Sequence, residues 1–278
     1  MPMPDENIHS VATGLAKQTV DKHQKEEALI FWSGWPGEKR KLISDRFELQ
    51  FCPFNQRIWM ALEERKIPYQ YHEVNPYKKE KHFLDLNPLG LVPTIEIKSK
   101  DGKSKALYES DVLVEYIEDL YPGSDEHPSI YPSDTYEKSW VRLNVQHVTK
   151  KILPAYFKLQ QFQDPSDQSK AREELYAGLR TLAQRVKGPY FAGEQFTAVD
   201  LAIAPFVRRF YNLVEHRALD EGQVGHGWLE YRGTLMDRES LKNTSSEDEY
   251  YTELLGRYLR NEAQSEVAKA TRGGQGLP

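Results

Sequence analysis

The stretch that decides the fold reads FCPFNQR and covers residues 51–57. The residues before it, 47–51, alternate apolar and polar side chains as a β-strand does. Pro53 suits the first turn of a helix, where its missing N–H needs no partner. Cys52 is thus predicted to cap this helix, where unpaired backbone N–H groups favour a thiolate and lower a cysteine pKa from its ordinary value of about 8.5. Although many cysteines are only small buried apolar residues, this placement predicts a reactive thiol.

The composition argues against several classes of function. With 278 residues, 39% of them hydrophobic, the chain is long enough for two domains, and it has no run of about 18 apolar residues that could span a membrane. A single cysteine cannot form an internal disulfide, and the first residues lack a secretory signal, so a cytoplasmic location is expected. The net charge of −5 comes from 37 basic and 42 acidic residues that are mixed along the chain. We therefore expect no nucleic-acid partner, and the eight scattered histidines predict no metal site.

The pattern of the chain changes twice. Residues 1–45 are interpreted as a polar N-terminal extension. In residues 46–122 short strands alternate with helices, and an Asp-Gly turn at 101–102 predicts a hairpin. A segment rich in proline and glycine follows, and residues 135–268 predict helices only. The helices expected there cover about 135–162, bent near Pro154, then 167–187, 197–215 and 248–268, whereas 217–247 shows no pattern that we can assign.

Three motifs follow one another in the first half of the chain. Cys52-Pro53 is predicted to begin a helix, Val92-Pro93 to begin a strand that extends to Ile97, and Glu109-Ser110 to precede another helix. This order, followed by an all-helical half, resembles the cytosolic glutathione transferases over about residues 46–215. The cysteine, with Pro53 and Phe54 after it, is most similar to the omega class and its fungal omega-like relatives. The resemblance implies an α/β plus all-α architecture, with a thioredoxin-like domain containing a mixed four-stranded sheet, an all-helical C-terminal domain, and a homodimer.

The resemblance also implies a glutathione site. Glutathione carries two carboxylates and an ammonium, so a site for it requires backbone pairing, a cation and a helix start. Val92 would pair its backbone with the cysteinyl unit, and a cis peptide bond to Pro93 would form the turn beside the thiol. Glu109 would bind the ammonium of the γ-glutamyl group, and Ser110 would bind the carboxylate of that group together with the helix N–H groups.

Three further residues complete the predicted site. Lys79 lies where the omega class has a lysine for the glycyl carboxylate, although a lysine-rich run is also typical of a solvated surface. Phe54 would form a wall on the thiol side of the site, or else begin the apolar face of its helix. Arg57 could favour the thiolate, but a surface ion pair is the simpler interpretation.

The residues around Cys52 indicate a monothiol mechanism. Cys52 would attack a glutathionylated substrate, and a second glutathione would release it, because Asn55 occupies the position that a Cys-x-x-Cys motif requires. We therefore predict a glutathione-dependent thiol transferase or reductase, with dehydroascorbate as another substrate suggested by the resemblance. The alternatives are a glutathionyl-hydroquinone reductase, whose motif usually has Trp where this chain has Phe54, and a protein that only binds aromatic metabolites. The second substrate, a hydrophobic or glutathionylated small molecule, is expected near Tyr156 and Phe157.

Overall fold

The four strands of the N-terminal part form one mixed sheet. The computed structural model describes residues 12–34, 52–74, 79–99 and 102–277. The strands are β1 (Leu29–Gly34), β2 (Gln70–Val74), β3 (Thr94–Lys98) and β4 (Ser104–Tyr108). Their order is β2-β1-β3-β4, with β1 parallel to β2 and antiparallel to β3, and with β3 antiparallel to β4. The predicted thioredoxin-like sheet and its hairpin are confirmed.

The helices of this first unit lie before, between and after the strands. The unit comprises the described residues of Met1–Ser129 together with Glu239–Tyr251. Its helices are α1 (Gly14–Lys22), α2 (Pro53–Glu64), α3 (Lys81–Leu86), α4 (Ser110–Leu120) and α11 (Glu239–Asn243).

The first strand corrects the predicted domain boundary. Residues 1–45 were expected to be an extension outside a domain that begins at residue 46, yet β1 at Leu29–Gly34 is a central strand with neighbours on both sides. Its first five residues are buried. The physical reason is their composition, because a continuous apolar run is typical of a strand covered on both faces, and such a run lacks the alternation that marks a half-exposed strand. The strand predicted at 47–51 lies outside the described residues.

Helix α1 also belongs to this unit and does not stand apart from it. The Thr19 hydroxyl donates a hydrogen bond to the carbonyl of Asn243 at 2.8 Å, and the Thr13 N–H donates to Ser246 Oγ at 3.1 Å. Just after α1, the His23 ring stacks on Tyr69 with 3.8 Å between the ring centroids. The N-terminal residues are therefore part of the packed domain.

Part of the unassigned stretch 217–247 returns to the first unit. We call residues 239–251 the returning segment. The Gln56 side chain of α2 donates hydrogen bonds from Nε2 to the Thr244 carbonyl at 3.1 Å and to Ser245 Oγ at 2.9 Å. Thr244 and Ser245 are buried. The polar side chains of this stretch gave no recognisable pattern in the sequence. In the structure, this stretch forms buried hydrogen bonds with the helix that follows Cys52.

The second unit is helical, as predicted. It comprises Ile130–Arg238 and Thr252–Pro278. Its helices are α5 (Thr135–His147), α6 (Leu153–Gln161), α7 (Pro165–Ala183), α8 (Ala198–Val207), α9 (Phe210–Arg217), α10 (His226–Asp237) and α13 (Glu266–Arg272), and α12 (Glu249–Leu259) is divided between the two units. No helix among the described residues is long and apolar enough to cross a membrane.

Several predicted helices are interrupted. The helix expected at 135–162 consists of α5 and α6 joined by the π-helical turn Val148–Ile152, directly before Pro154. The helix expected at 197–215 is split after Val207, two residues beyond Pro205. A proline lacks the N–H of a helical hydrogen bond and clashes with the preceding turn, which explains the interruption before Pro154.

The start of α8 is stabilised by a buried capping arrangement. Asp200 accepts hydrogen bonds from the Thr197 N–H and hydroxyl, both at 2.7 Å, from the Phe191 N–H at 2.8 Å, and from the Tyr231 hydroxyl at 2.7 Å. Burial raises the pKa of Asp200, and these hydrogen bonds act in the opposite direction. This carboxylate is a structural cap at the centre of the second unit.

Candidate active site

Cys52 stands at the start of α2, as predicted. It is the N-cap residue, with an extended backbone at φ −69° and ψ 113°, and Pro53 is the first helical residue. The Gln56 N–H donates to the Cys52 carbonyl at 3.1 Å and closes the first turn. The thiol is half-buried and forms no disulfide. The side chain is therefore placed beside the positive end of a twelve-residue helix.

Arg57 is a buried cation one turn further along α2. The residue is only 1% exposed, and Nη1 donates hydrogen bonds to Asp111 Oδ1 at 3.0 Å and to Ser110 Oγ at 3.4 Å. The guanidinium carbon lies 5.2 Å from the centre of the Phe54 ring. Arg57 does form an ion pair, with Asp111, but the residue is buried and not at the surface, because tertiary packing covers this face of the helix.

The charge of Arg57 acts on Cys52. Burial lowers the pKa of Arg57, and attraction to Asp111 and to Cys52 opposes that shift. Such an attraction is mutual, so the guanidinium favours the charged form of the thiol. The cation and the helix start therefore act in the same direction on Cys52.

The Val92–Pro93 peptide bond is cis, as the resemblance implied. The fully buried Asn87 stabilises the turn that contains this cis bond. The Asn87 Nδ2 donates hydrogen bonds to the Leu91 carbonyl at 2.9 Å and to Thr94 Oγ1 at 3.0 Å. The Thr94 hydroxyl donates to the same carbonyl at 2.9 Å. Sequence reasoning found the turn but missed this positioning role of Asn87, for which the Asn-Pro pair at 87–88 was the available signal.

Lys79 lies against the same turn. A Cβ atom added at Gly90 would stand 2.8 Å from Lys79 Nζ and 2.9 Å from Lys79 Cδ, and Gly90 has a φ of +62°. The half-buried Lys79 side chain therefore lies across the backbone of Gly90, two residues before Val92. The structure thus brings the predicted cation to the cis-proline turn.

Glu109 and Ser110 form the start of α4. Glu109 is the N-cap, with φ 74° and ψ 114°, and Ser110 is the first helical residue. A glutamate at positive φ is uncommon, and strain of this kind is concentrated at functional sites. The Glu109 side chain is exposed, whereas Ser110 is buried and accepts the bond from Arg57.

The predicted glutathione residues thus form one region of the first unit. Arg57 connects α2, which contains Phe54 and follows Cys52, to Ser110. The end of β1 connects that helix to the cis-proline turn: a Cβ added at Gly34 would lie 2.9 Å from Asn55 Nδ2 and 3.3 Å from Val92 Cγ2. Among the described residues, no group of three or more His, Cys, Asp or Glu side chains could bind a metal ion.

Tyr156 and Phe157 are placed differently. Both are buried in the second unit, where Tyr156 stacks on Phe210 with 5.8 Å between the ring centroids and packs edge-on against Phe206 at 5.7 Å. Burial raises the pKa of Tyr156. These contacts favour a core role for the two aromatic residues over the predicted contact with a second substrate.

Comparison with known proteins decides the family. Residues 51–120 match the family model "Glutathione S-transferase, N-terminal domain", and residues 146–233 match "Glutathione S-transferase, C-terminal domain". "Glutathione S-transferase DHAR2" of Arabidopsis thaliana is 33% identical over 210 residues, which are 71% of this chain and 85% of that protein. The chain belongs to the glutathione transferase family.

Relatives of this glutathione transferase place it with the omega class. "Glutathione S-transferase omega-1" of Sus scrofa is 29% identical over 197 residues, 70% of this chain and 78% of that protein. The crystal structure of glutathione transferase Omega 3C from Trametes versicolor shares 46% identity at a TM-score of 0.79, and the match covers 92% of this chain and 100% of that one. The predicted omega-like identity and a glutathione-dependent enzyme are confirmed.

Proposed function

We propose that this glutathione transferase is a monothiol thiol transferase in which Cys52 is the nucleophile. The observation that carries the proposal is the position of the Cys52 thiol at the start of α2, where the positive charge of the buried Arg57 attracts the thiolate. A cysteine there forms a bond to glutathione, whereas a serine or tyrosine hydroxyl can only activate it. Because the sequence contains one cysteine, a dithiol cycle within the chain is not available.

The reaction has two balanced steps. The Cys52 thiolate attacks the glutathione sulfur of a mixed disulfide, so that the Cys52–glutathione disulfide forms and the substrate leaves as a thiolate that takes up a proton. A second glutathione thiolate then attacks the glutathione sulfur bound to Cys52. This step releases oxidised glutathione and restores the Cys52 thiolate. Dehydroascorbate is a further substrate that the family resemblance suggests.

The surrounding residues would bind glutathione as predicted. The Val92 backbone pairs with the cysteinyl unit beside Pro93, Glu109 binds the ammonium, and Ser110 with the α4 N–H groups binds the γ-glutamyl carboxylate. Lys79 binds the glycyl carboxylate, and Phe54 forms a wall on the thiol side. A cytoplasmic homodimer with a hydrophobic or glutathionylated second substrate completes the proposal.

The test is glutathione-dependent reduction of a small mixed disulfide by the wild type and by Cys52→Ser, with mass spectrometry of the intact protein. We expect turnover and a single glutathione adduct in the wild type, and the loss of both in Cys52→Ser. Thermal melting and glutathione binding of the variant should match the wild type, since Ser differs from Cys by one atom. A wild type that binds glutathione but shows neither turnover nor adduct would contradict the proposal and favour simple ligand binding.

A further inference from the structure

Asn55 is a buried polar residue of the Cys52 helix to which the proposed mechanism gives no role. It occupies the position where a dithiol enzyme would carry its second cysteine, three residues after Cys52. The side chain is 5% exposed, and neither Oδ1 nor Nδ2 makes a hydrogen bond to any residue that the structure describes. An unpaired buried amide is costly and uncommon in folded proteins. This amide therefore calls for a partner.

The surroundings of Asn55 indicate where that partner would bind. Nδ2 lies 2.9 Å from the place where a Cβ of Gly34 would stand, and the Val92 side chain approaches the same place to 3.3 Å. The amide therefore lies at the end of β1, next to the residue whose backbone is proposed to pair with the cysteinyl unit of glutathione. The same helix start carries the Cys52 thiol.

The chemistry of a carboxamide limits the choice of partner. The group offers N–H donors and a C=O acceptor side by side, and a peptide group presents the complementary acceptor and donor. Glutathione carries such groups on both sides of its cysteinyl unit. Bonds made out of contact with water are also stronger than exposed ones, because solvent does not compete for them.

We propose that Asn55 is a positioning residue whose carboxamide hydrogen-bonds a peptide group of the glutathione cysteinyl unit when its sulfur faces Cys52. The inference rests on the proposed function and adds a binding residue to the site. Asn55 acts on the affinity for glutathione and on the orientation of its sulfur, and it takes no part in bond making or breaking.

The experiment replaces Asn55 with a side chain of similar size that lacks polar atoms. Calorimetric titration with reduced glutathione is carried out on the wild type and on Asn55→Leu, with thermal melts of each protein alone. We expect the Kd for glutathione to rise about tenfold, as the loss of one good hydrogen bond would give, while the melting temperature of the free variant is unchanged or higher. Asn55→Ala serves if the leucine cannot be accommodated.

Gln161 offers a matched control. Its side-chain oxygen and nitrogen are also buried without a hydrogen-bond partner among the described residues, and it lies at the end of α6 in the second unit. Gln161→Leu removes the same kind of unpaired amide, so its melting temperature should change in the same direction. Its Kd for glutathione should remain that of the wild type.

The outcomes separate this inference from the proposed function. Weaker glutathione binding in Asn55→Leu, with the Kd of Gln161→Leu unchanged, supports the positioning role. Wild-type affinity for glutathione in Asn55→Leu overturns the inference while the thiol transferase proposal stands. A wild type that neither binds glutathione nor turns over overturns the proposed function, and the inference with it.

Discussion

Arg57 joins the start of the Cys52 helix to the start of α4, because its guanidinium bonds Ser110 and Asp111 while its charge acts on Cys52. A buried guanidinium is costly unless its charge and its donors are paired. Here the pairing partners belong to the segment proposed to bind the γ-glutamyl carboxylate. One residue thus links the ionisation of the thiol to the geometry of the proposed glutathione site.

At this scale we predict that Arg57→Gln makes Cys52 ionise at higher pH. The rate of alkylation by iodoacetamide as a function of pH measures this directly, since the chain has one cysteine. A displacement of the curve by one pH unit corresponds to roughly tenfold slower alkylation near neutral pH. Asp111→Asn is the control, because it removes a negative charge beside Arg57 and should not move the curve upward. An unchanged curve in Arg57→Gln would show that the helix start alone governs the thiol.

At the scale of elements, α2 is supported from a distant part of the chain. The returning segment supplies the Thr244 carbonyl and Ser245 Oγ as acceptors for Gln56. Other residues of the same segment accept hydrogen bonds from Thr13 and Thr19 of the α1 region. The helix that follows Cys52 is therefore held by hydrogen bonds to a segment that lies outside the motifs that identify the family.

We predict that Gln56→Leu destabilises the protein by about 1–3 kcal/mol, because the buried Thr244 carbonyl loses its donor from Gln56. Urea unfolding measures the change. Lys17→Ala is the comparison, since it removes the exposed ion pair with Asp21 on α1 and should cost less than about 1 kcal/mol. Equal stability of Gln56→Leu and the wild type would mean that the returning segment contributes nothing to holding α2.

At the scale of the whole molecule, acid stability depends on where its carboxylates are paired. Burial would raise the pKa of Glu63, yet hydrogen bonds from His23 and Tyr69 and the charges of His23 and Lys22 lower it overall. His23 Nε2 lies 3.2 Å from Glu63 Oε1. A carboxyl group with a lowered pKa in the folded state stabilises the protein above its unfolded-state pKa and loses that contribution as pH falls through the folded-state value.

We therefore predict that the free energy of unfolding of the wild type falls as the pH drops below the ordinary glutamate value of 4.5. In Glu63→Gln this fall should be smaller, because the variant has no carboxylate to protonate at that position. Urea titrations at several pH values between neutrality and acid provide the comparison. Parallel pH profiles for the two proteins would exclude Glu63 as a contributor.

Much of the site could be predicted because its signals are local. Cys52-Pro53, Val92-Pro93 and Glu109-Ser110 are pairs of neighbours whose backbone preferences specify a helix start, a turn and a second helix start. The predicted domain boundary at residue 46 was wrong because the prediction relied on polar composition and on alternating apolar and polar residues. In contrast, β1 is a short apolar strand whose burial depends on neighbouring strands on both sides. Helix interruptions near Pro154 and Pro205 were only partly foreseen.

By itself, the sequence determined the family, the order of strands and helices after Cys52, the helical second half and the position of the single thiol. Each of these follows from short patterns of backbone preference and apolar spacing. Only the tertiary structure decided that Leu29–Gly34 is a central strand, that Arg57 is buried, and that residues near 244 support α2. It also decided that the Asn55 amide has no hydrogen-bond partner among the described residues. The physical reason is distance along the chain: burial and hydrogen bonding join residues such as Gln56 and Thr244, 188 positions apart, and no local pattern encodes which distant group covers a side chain.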